Sequence, residues 1–151
     1  LLGIGGSGDT KRIPSRIFLK FMEKCNNEYD CRFFLATGNK VAEQSILKDI
    51  LNSKFKSKCL PLDQMSLLQT FPLIANCDVA ICNDSSFSHL SAAIRIPTIV
   101  LMADTPLLYG SYSSKMFPII PEGETTVNHD TLGKDKIDPQ KIFNKFKDLI
   151  N

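Results

Sequence analysis

Short apolar runs without period-two alternation, separated by stretches with helical spacing, constrain the fold of this chain most strongly. The runs cover residues 1–4, 31–36, 58–61, 78–82, 98–102 and 118–120. A strand that is apolar at successive positions must be covered on both faces, as in a parallel sheet lying between helices. The pattern therefore predicts an α/β fold with a doubly wound parallel sheet of the Rossmann-like type.

Helical patterns fill the gaps between these runs. Helices are predicted after Pro14, over residues 41–51, after Asp63, through residues 89–93 and after Asp138-Pro139. Asp63 is predicted to cap the third helix, and Pro72 to kink or shorten it because proline supplies no amide hydrogen. The apolar residues expected to face inward from this helix are Leu67, Leu68, Phe71 and Ile74.

Bulk composition excludes several classes of protein. The 151 residues suit one domain, and the net charge of +2 gives no support for a nucleic-acid partner. The five cysteines include no CxxC pair, so buried thiols in a reducing cytosol are expected and a disulfide framework is not. No apolar run reaches the length of about 18 residues typical of a membrane span. Because Leu1 opens an apolar strand without a preceding methionine, we expect a fragment of a longer protein.

A glycine-rich loop follows the first run. Residues 3–8 match GxGxxG, but Gly8 is separated from the predicted helix, and the second strand ends in Thr-Gly-Asn where a dinucleotide site needs an acid. A phosphate site is the better functional interpretation, with Ser7, Lys11 and Arg12 beside free backbone amides. A flexible turn with solvated charges is an equal alternative on these residues alone.

A second polar cluster follows the run at residues 78–82. Asp84, Ser85, Ser86 and His89 lie where a central strand passes into a helix. Helix amides suit a phosphate, the carboxylate suits a sugar hydroxyl, and the imidazole suits either. The alternative is a serine N-cap followed by a packed helix whose histidine serves only the fold.

Residues 60–106 resemble the carboxyl-terminal domain of ADP-heptose:lipopolysaccharide heptosyltransferases, glycosyltransferase family 9. The family pattern Asp-Thr-Gly-x-x-His-x-x-Ala-Ala corresponds to residues 84–93, and Phe-Gly-x-Thr-x-Pro corresponds to residues 101–106. Ser66-Leu67 matches a further family pair, and residues 11–14 (Lys-Arg-Ile-Pro) resemble its Lys-x-Trp-Pro segment. The departures from the family pattern are Ile13, Ser86, Met102 and Asp104.

The resemblance implies that residues 1–151 are the donor-binding half of a two-domain GT-B-type enzyme whose amino-terminal acceptor domain is absent from this chain. The residues that it implies for donor binding are Ser7, Lys11, Glu43, Met65, Asp84, Ser85, Ser86 and His89. Lys11 would stabilise the leaving diphosphate, Met65 would lie by the nucleobase and Glu43 by the ribose. No catalytic base is expected in this domain, and no metal or cofactor.

The implied function is inverting transfer of a heptose or related sugar from ADP-heptose or a similar donor to lipopolysaccharide or another surface glycan. The implied location is the cytoplasm, with the full-length protein peripheral to the inner face of the cytoplasmic membrane. Asp104 adds a predicted negative charge near the crevice, and Ser86 adds a side chain there, so another nucleotide sugar is a second candidate donor. A nucleotide-sugar epimerase-like protein and a non-catalytic nucleotide-binding module are the alternative functions.

Overall fold

Six parallel strands form the sheet in the computed structural model, which describes residues 1–151. The strands are β1 (Leu2–Gly3), β2 (Phe33–Ala36), β3 (Cys59–Pro61), β4 (Ala80–Asn83), β5 (Thr98–Leu101) and β6 (Met116–Ile119). Their order across the sheet is β3-β2-β1-β4-β5-β6, and every neighbouring pair is parallel. The predicted parallel sheet is confirmed, with strand ends displaced by at most two residues.

Five helices connect and cover the strands. They are α1 (Ser15–Glu28), α2 (Val41–Leu51), α3 (Leu67–Ala75), α4 (Ser86–Ala93) and α5 (Pro139–Ile150). Side chains of α1, α2 and α5 join one buried cluster, and those of α3 and α4 pack against a second cluster on the other face. Successive strand residues alternate between the clusters, as Ile81 and Cys82 do. Apolar residues at successive positions therefore have a partner on each face of the sheet.

Helix α3 differs from its sequence-based prediction in its cap and its buried face. Ser66, and not Asp63, is the N-cap, because Ser66 and Gln69 form a reciprocal capping box. Leu67 and Leu68 are 52% and 77% exposed, so the predicted inward face is wrong at its first turn. The later cap makes the helix start at Leu67 itself, and only its later part, including Ile74, reaches the second cluster. Pro72 lies inside the helix without ending it.

The strand order places a crevice between β1 and β4. The chain adds β2 and β3 on one side of β1, and then returns to add β4, β5 and β6 on the other. The loops after β1 and β4 therefore depart toward opposite faces from neighbouring strands. In doubly wound sheets, ligands bind at this point, outside the carboxyl ends of the strands. Both polar clusters predicted from the sequence follow these two strands.

Candidate functional site

Asn83 joins the ends of β1 and β4 at the floor of this crevice. Its side-chain amide donates hydrogen bonds of 3.0 Å to the carbonyl oxygens of Ile4 and Gly5, and its carbonyl oxygen accepts one of 3.4 Å from the amide of Ile13. Asn83 is fully buried. One side chain thus satisfies three backbone groups that the sheet leaves unpaired, and it fixes the glycine-rich loop relative to β4.

Asp84, the next residue, connects three parts of the chain. Its Oδ2 accepts hydrogen bonds from Lys11 Nζ at 3.1 Å and from the Thr105 hydroxyl at 2.7 Å. Its Oδ1 lies 3.6 Å from His89 Nε2. The carboxylate is 7% exposed and the Lys11 side chain is 29% exposed. The lysine charge is therefore held at a fixed position with part of its surface open to a ligand.

Tyr112 lies against His89 on the outer side of this cluster. The Tyr112 hydroxyl oxygen and His89 Nδ1 are 2.9 Å apart. The two rings are stacked, with centroids 5.7 Å apart and planes at 17°. Both edges of the imidazole therefore face a polar group, Tyr112 on one side and Asp84 on the other.

The glycine-rich loop is held on its other side by Arg12 and Glu43. Arg12 Nη1 donates a hydrogen bond of 2.8 Å to the Gly6 carbonyl oxygen, and Glu43 Oε1 accepts one of 2.8 Å from the Gly6 amide. Arg12 also pairs with Asp9. A Cβ atom on Gly38 would lie 2.5 Å from Glu43 Oε2, so only glycine allows the carboxylate to pack there. Glu43 is buried against both glycine loops.

A cavity of about 340 Å³ opens between these elements. Its lining consists of small and polar residues from the loops after β1, β2 and β4, together with one aromatic side chain: Gly5, Gly6, Ser7, Gly38, Lys40, Glu43, Ser85, Ser86 and Phe87. The Ser85 and Thr37 hydroxyls are buried without a hydrogen-bond partner. A buried hydroxyl without a partner is costly to the fold. Of these two residues, Ser85 lines the cavity and Thr37 does not.

Most of the predicted donor-binding residues come together here. Four of them line the cavity: Ser7, Glu43, Ser85 and Ser86. Three others, Lys11, Asp84 and His89, form the adjoining cluster around the Asp84 carboxylate. Met65 does not line the cavity; it is 38% exposed in the loop before α3. That loop is tied to the site through the Gln44 amide, which donates to both Gly38 O and Asp63 Oδ2.

Ser85 occupies the N-cap position of α4 without using its side chain as a cap. Its hydroxyl makes no hydrogen bond, whereas the Ser88 hydroxyl donates one of 2.7 Å to the Ser85 carbonyl oxygen. Ser85 is therefore the N-cap residue of α4, as predicted, although the hydrogen bonds at this end of the helix run through the Ser88 hydroxyl.

Thr105 and Asp104 differ in what their side chains contact. Thr105, in the loop after β5, supplies the hydroxyl that reaches Asp84, although Asp104 is the residue aligned with the family's threonine. Asp104 Oδ1 accepts a hydrogen bond of 2.8 Å from the Leu132 amide. Burial raises the pKa of the Asp104 carboxyl, but hydrogen bonds from Leu132 and Thr10 outweigh it and hold the pKa below its ordinary value. The carboxylate is thus satisfied within the surrounding loops and does not line the cavity.

Three residues of the site could not be singled out from the sequence in this role: Asn83, Thr105 and Tyr112. Asn83 ends β4, and Thr105 lies in the loop after the neighbouring parallel strand β5; a position at or after the carboxyl end of a strand is the signal that could have identified them. Tyr112 lies in the connection between β5 and β6, and no spacing in the sequence connects it with His89.

A larger cavity of about 700 Å³ lies at the opposite edge of the sheet. It is lined mainly by apolar side chains at the starts of the strands, such as Leu2, Phe33 and Val79, and by the end of α5. Despite its size, it lies away from every polar cluster described above. The smaller polar cavity at the carboxyl ends is the better candidate site, because ligands of doubly wound sheets bind there.

Comparison with known proteins settles the family. Residues 2–134 match the sequence profile described as glycosyltransferase family 9 (heptosyltransferase). The chain belongs to glycosyltransferase family 9. No curated protein sequence matches it. The predicted family resemblance is thereby confirmed, and family membership does not favour the epimerase-like alternative.

Solved heptosyltransferase structures share the fold of this family 9 chain. E. coli heptosyltransferase WaaC with ADP superposes with a TM-score of 0.78 at 17% identity, over 98% of this chain and 43% of WaaC. E. coli ADP-heptose lps heptosyltransferase II gives 0.71 at 21% identity, over 99% of this chain and 46% of that one. E. coli heptosyltransferase WaaC with ADP-2-deoxy-2-fluoro heptose superposes with a TM-score of 0.75 at 15% identity, over 97% of this chain and 42% of WaaC. The chain spans less than half the length of these proteins.

No group of three or more His, Cys, Asp or Glu side chains is arranged to hold a metal ion. None of the helices has the length and hydropathy needed to cross a membrane.

Proposed function

We propose that this chain is the donor-binding half of an inverting glycosyltransferase that transfers a heptose or related sugar from a nucleoside diphosphate. One observation carries the proposal: Lys11, held by Asp84, adjoins a polar cavity lined by glycine backbone, serine hydroxyls and the Glu43 carboxylate. Such a cavity offers a cation and amides for phosphate and an acceptor for sugar hydroxyls. It lies at the topological switch point, where nucleotides bind in doubly wound sheets.

The diphosphate is assigned to the side of the cavity near Lys11. Ser7 lies in the glycine-rich first loop, and Ser85 and Ser86 stand at the start of α4, so serines line the cavity from two loops. The first amides of α4 have no partner within the helix and carry partial positive charge. Asp84 neutralises part of the Lys11 charge, so the amides and hydroxyls must supply a large share of the attraction.

The nucleoside is assigned to the side near Glu43. Its carboxylate accepts from the Gly6 amide through Oε1, which leaves further lone pairs for ribose hydroxyls. The loop carrying Met65 is linked to Gly38 through Gln44, which supports the assignment of Met65 to the nucleobase. Lys40 also lines this side of the cavity.

In the proposed reaction, an acceptor hydroxyl attacks the anomeric carbon on the face opposite the diphosphate. The bond between that carbon and the β-phosphate oxygen breaks, and negative charge develops on the departing diphosphate. Lys11 and the α4 amides stabilise that charge. The base that takes the acceptor proton belongs to a second domain, and neither a metal nor a cofactor takes part. No residue of this chain is assigned as a catalytic base.

Lipopolysaccharide or another surface glycan is the proposed acceptor, and the cytoplasmic face of the inner membrane the proposed location. The donor assignment is supported by the two solved structures of E. coli WaaC, one with ADP and one with ADP-2-deoxy-2-fluoro heptose. The departures at Ile13, Ser86 and Met102 leave ADP-heptose and another nucleotide sugar as candidate donors.

A thermal-shift screen of nucleotides and nucleotide sugars tests the proposal. ADP, UDP, GDP and their sugar conjugates would each be added to the chain at concentrations well above the expected Kd. A ligand at 100 times its Kd contributes about 2.7 kcal/mol, which raises the Tm of a domain of this size by roughly 5–10 °C. We expect one nucleobase to be preferred. A folded chain whose Tm responds to none of these ligands would contradict the proposal.

A further inference from the structure

We propose that Tyr112 is a positioning residue that fixes the orientation and tautomer of His89. Its hydroxyl oxygen lies 2.9 Å from His89 Nδ1, and its ring stacks on the imidazole at 17°. The contact joins a residue of α4 to one in the β5–β6 connection, 23 positions further along the chain. The hydrogen bond fixes which edge of the imidazole faces the Tyr112 hydroxyl, and the stacking fixes the plane of the imidazole ring.

The surroundings of the ring determine which nitrogen carries the proton. His89 Nε2 faces Asp84 Oδ1 at 3.6 Å, a distance too long for a hydrogen bond but short enough for a charge to matter. With the proton on Nδ1, the Nε2 lone pair would point at the carboxylate. With the proton on Nε2, the N–H bond points at the carboxylate, and Nδ1 accepts from the Tyr112 hydroxyl. The second tautomer has favourable contacts on both edges. Because a tyrosine hydroxyl can either donate or accept, the Asp84 carboxylate selects this tautomer, and Tyr112 acts by keeping the Nε2 edge of the ring turned toward that carboxylate.

Tyr112 contributes little to the hydrophobic core. It is 58% exposed, and it belongs to none of the buried clusters. The adjoining Tyr109 has a similar exposure of 49% and makes no side-chain hydrogen bond. The two tyrosines therefore share the same short segment and similar exposure, but only Tyr112 contacts a residue of the candidate site. This makes Tyr109 a matched control.

The consequence for binding rests on the proposed function. A neutral imidazole that carries its proton on Nε2 presents a hydrogen-bond donor on the edge facing Asp84 and Lys11, where the diphosphate is assigned. The other tautomer would present a lone pair there, which repels an anion. Tyr112 therefore acts on donor affinity through His89, without touching the donor.

Nitrogen NMR of the chain labelled with 15N-histidine tests the proposal directly. The sequence has two histidines, so His129→Gln assigns the remaining signals to His89. At about pH 8.5, we expect the wild-type His89 ring to carry its proton on Nε2 only. In Tyr112→Phe, which keeps the stacked ring, the Nδ1 signal should shift and the Nδ1–H form should become populated. Tyr109→Phe should leave both nitrogen signals unchanged.

The same variants are then compared for ADP binding by calorimetry. Tyr112→Phe should raise the Kd for ADP about three- to tenfold, and Tyr109→Phe should not. A wild-type ring protonated on Nδ1, or His89 signals unchanged in Tyr112→Phe, would overturn the positioning role. If the wild-type chain binds no ADP while the NMR result holds, the proposed function fails and the role of Tyr112 in fixing the tautomer stands.

Discussion

Lys11 Nζ donates a hydrogen bond of 3.1 Å to Asp84 Oδ2, joining the loop after β1 to the loop after β4. The two residues are 73 positions apart in the sequence, and they meet because β1 and β4 are neighbours at the switch point. The pair is only partly exposed, so its attraction is screened less by water than that of a surface pair. It fixes the lysine beside the cavity before any anion arrives, which lowers the cost of ordering it on binding.

Lys11→Ala should weaken ADP far more than adenosine. A charge-assisted phosphate contact contributes about 1.5–3 kcal/mol, which corresponds to roughly ten- to a hundredfold in Kd. Lys20→Ala removes an exposed lysine from α1 and serves as the control, with no expected change. Calorimetry with both ligands gives the comparison. Equal weakening of ADP and adenosine would mean that Lys11 does not contact phosphate.

Asp84→Asn separates two proposed roles of the Asp84 carboxylate, which are to hold Lys11 and to accept a hydrogen bond from a sugar hydroxyl. The variant keeps the shape of the side chain and an oxygen for the Thr105 hydroxyl, but it removes the negative charge beside Lys11. We expect the affinity for ADP to change little, because two effects oppose each other. The Lys11 charge is no longer neutralised by Asp84, which strengthens its attraction for phosphate, but the lysine side chain is also held less firmly. The extra affinity of the nucleotide sugar over ADP should be lost with the acceptor of the sugar hydroxyl. If ADP and its sugar conjugate weaken equally, Asp84 serves only to hold Lys11.

Asn83→Ala should destabilise the fold by about 2–4 kcal/mol, because it leaves three buried backbone groups without partners. For a domain of this size the Tm falls by roughly 5–15 °C. Urea unfolding measures the free energy of unfolding, and Asn144→Ala on the exposed side of α5 is the control. A loss of less than about 1 kcal/mol would show that Asn83 does not hold the two strand ends together.

Stability should decrease above pH 9 because of buried thiols. Burial raises the pKa of Cys82 to about 12, and burial likewise raises the pKa of Cys25. In the unfolded state the same thiol has a pKa near 9, so it loses its proton at a lower pH than in the folded state. Above pH 9 the unfolded state therefore binds fewer protons than the folded state, and rising pH stabilises the unfolded state. Each such thiol therefore costs about 1.4 kcal/mol of folding free energy between pH 8 and pH 10.

Urea unfolding at the two pH values measures this loss, and Cys82→Ala removes one of the thiols. The variant should lose about 1.4 kcal/mol less than the wild type between pH 8 and pH 10, whatever its stability at pH 8. An identical loss in both proteins would show that Cys82 is not the group responsible.

The fold could be predicted from the sequence wherever burial governs the residue pattern. The run at residues 78–82 lies between two buried clusters, and its lack of alternation indicated this directly. Helix α3 was less predictable, because its first two leucines are exposed and Ser66 competes with Asp63 as the cap. Local capping decided the start of that helix against the apolar pattern.

For the candidate site, the sequence indicated which residues to consider but not their contacts. Lys11, Asp84 and His89 lie in segments that resemble family motifs, and Glu43 came from a looser alignment, but the sequence does not encode which of them touch. The 3.1 Å pair and the buried position of Glu43 depend on strand order. Tyr112 was not predictable, because its partner is fixed by the path of the β5–β6 connection.

Calorimetric titration of the 151-residue chain with ADP, UDP and GDP shows whether the chain binds a nucleoside diphosphate. We expect saturable binding of at least one of them, with a Kd that rises roughly ten- to a hundredfold in Lys11→Ala and stays unchanged in Lys20→Ala. Circular dichroism would confirm that all three proteins are folded. If the folded wild-type chain binds none of the three diphosphates, the cavity between the loops after β1, β2 and β4 is not a donor site, and the account is wrong.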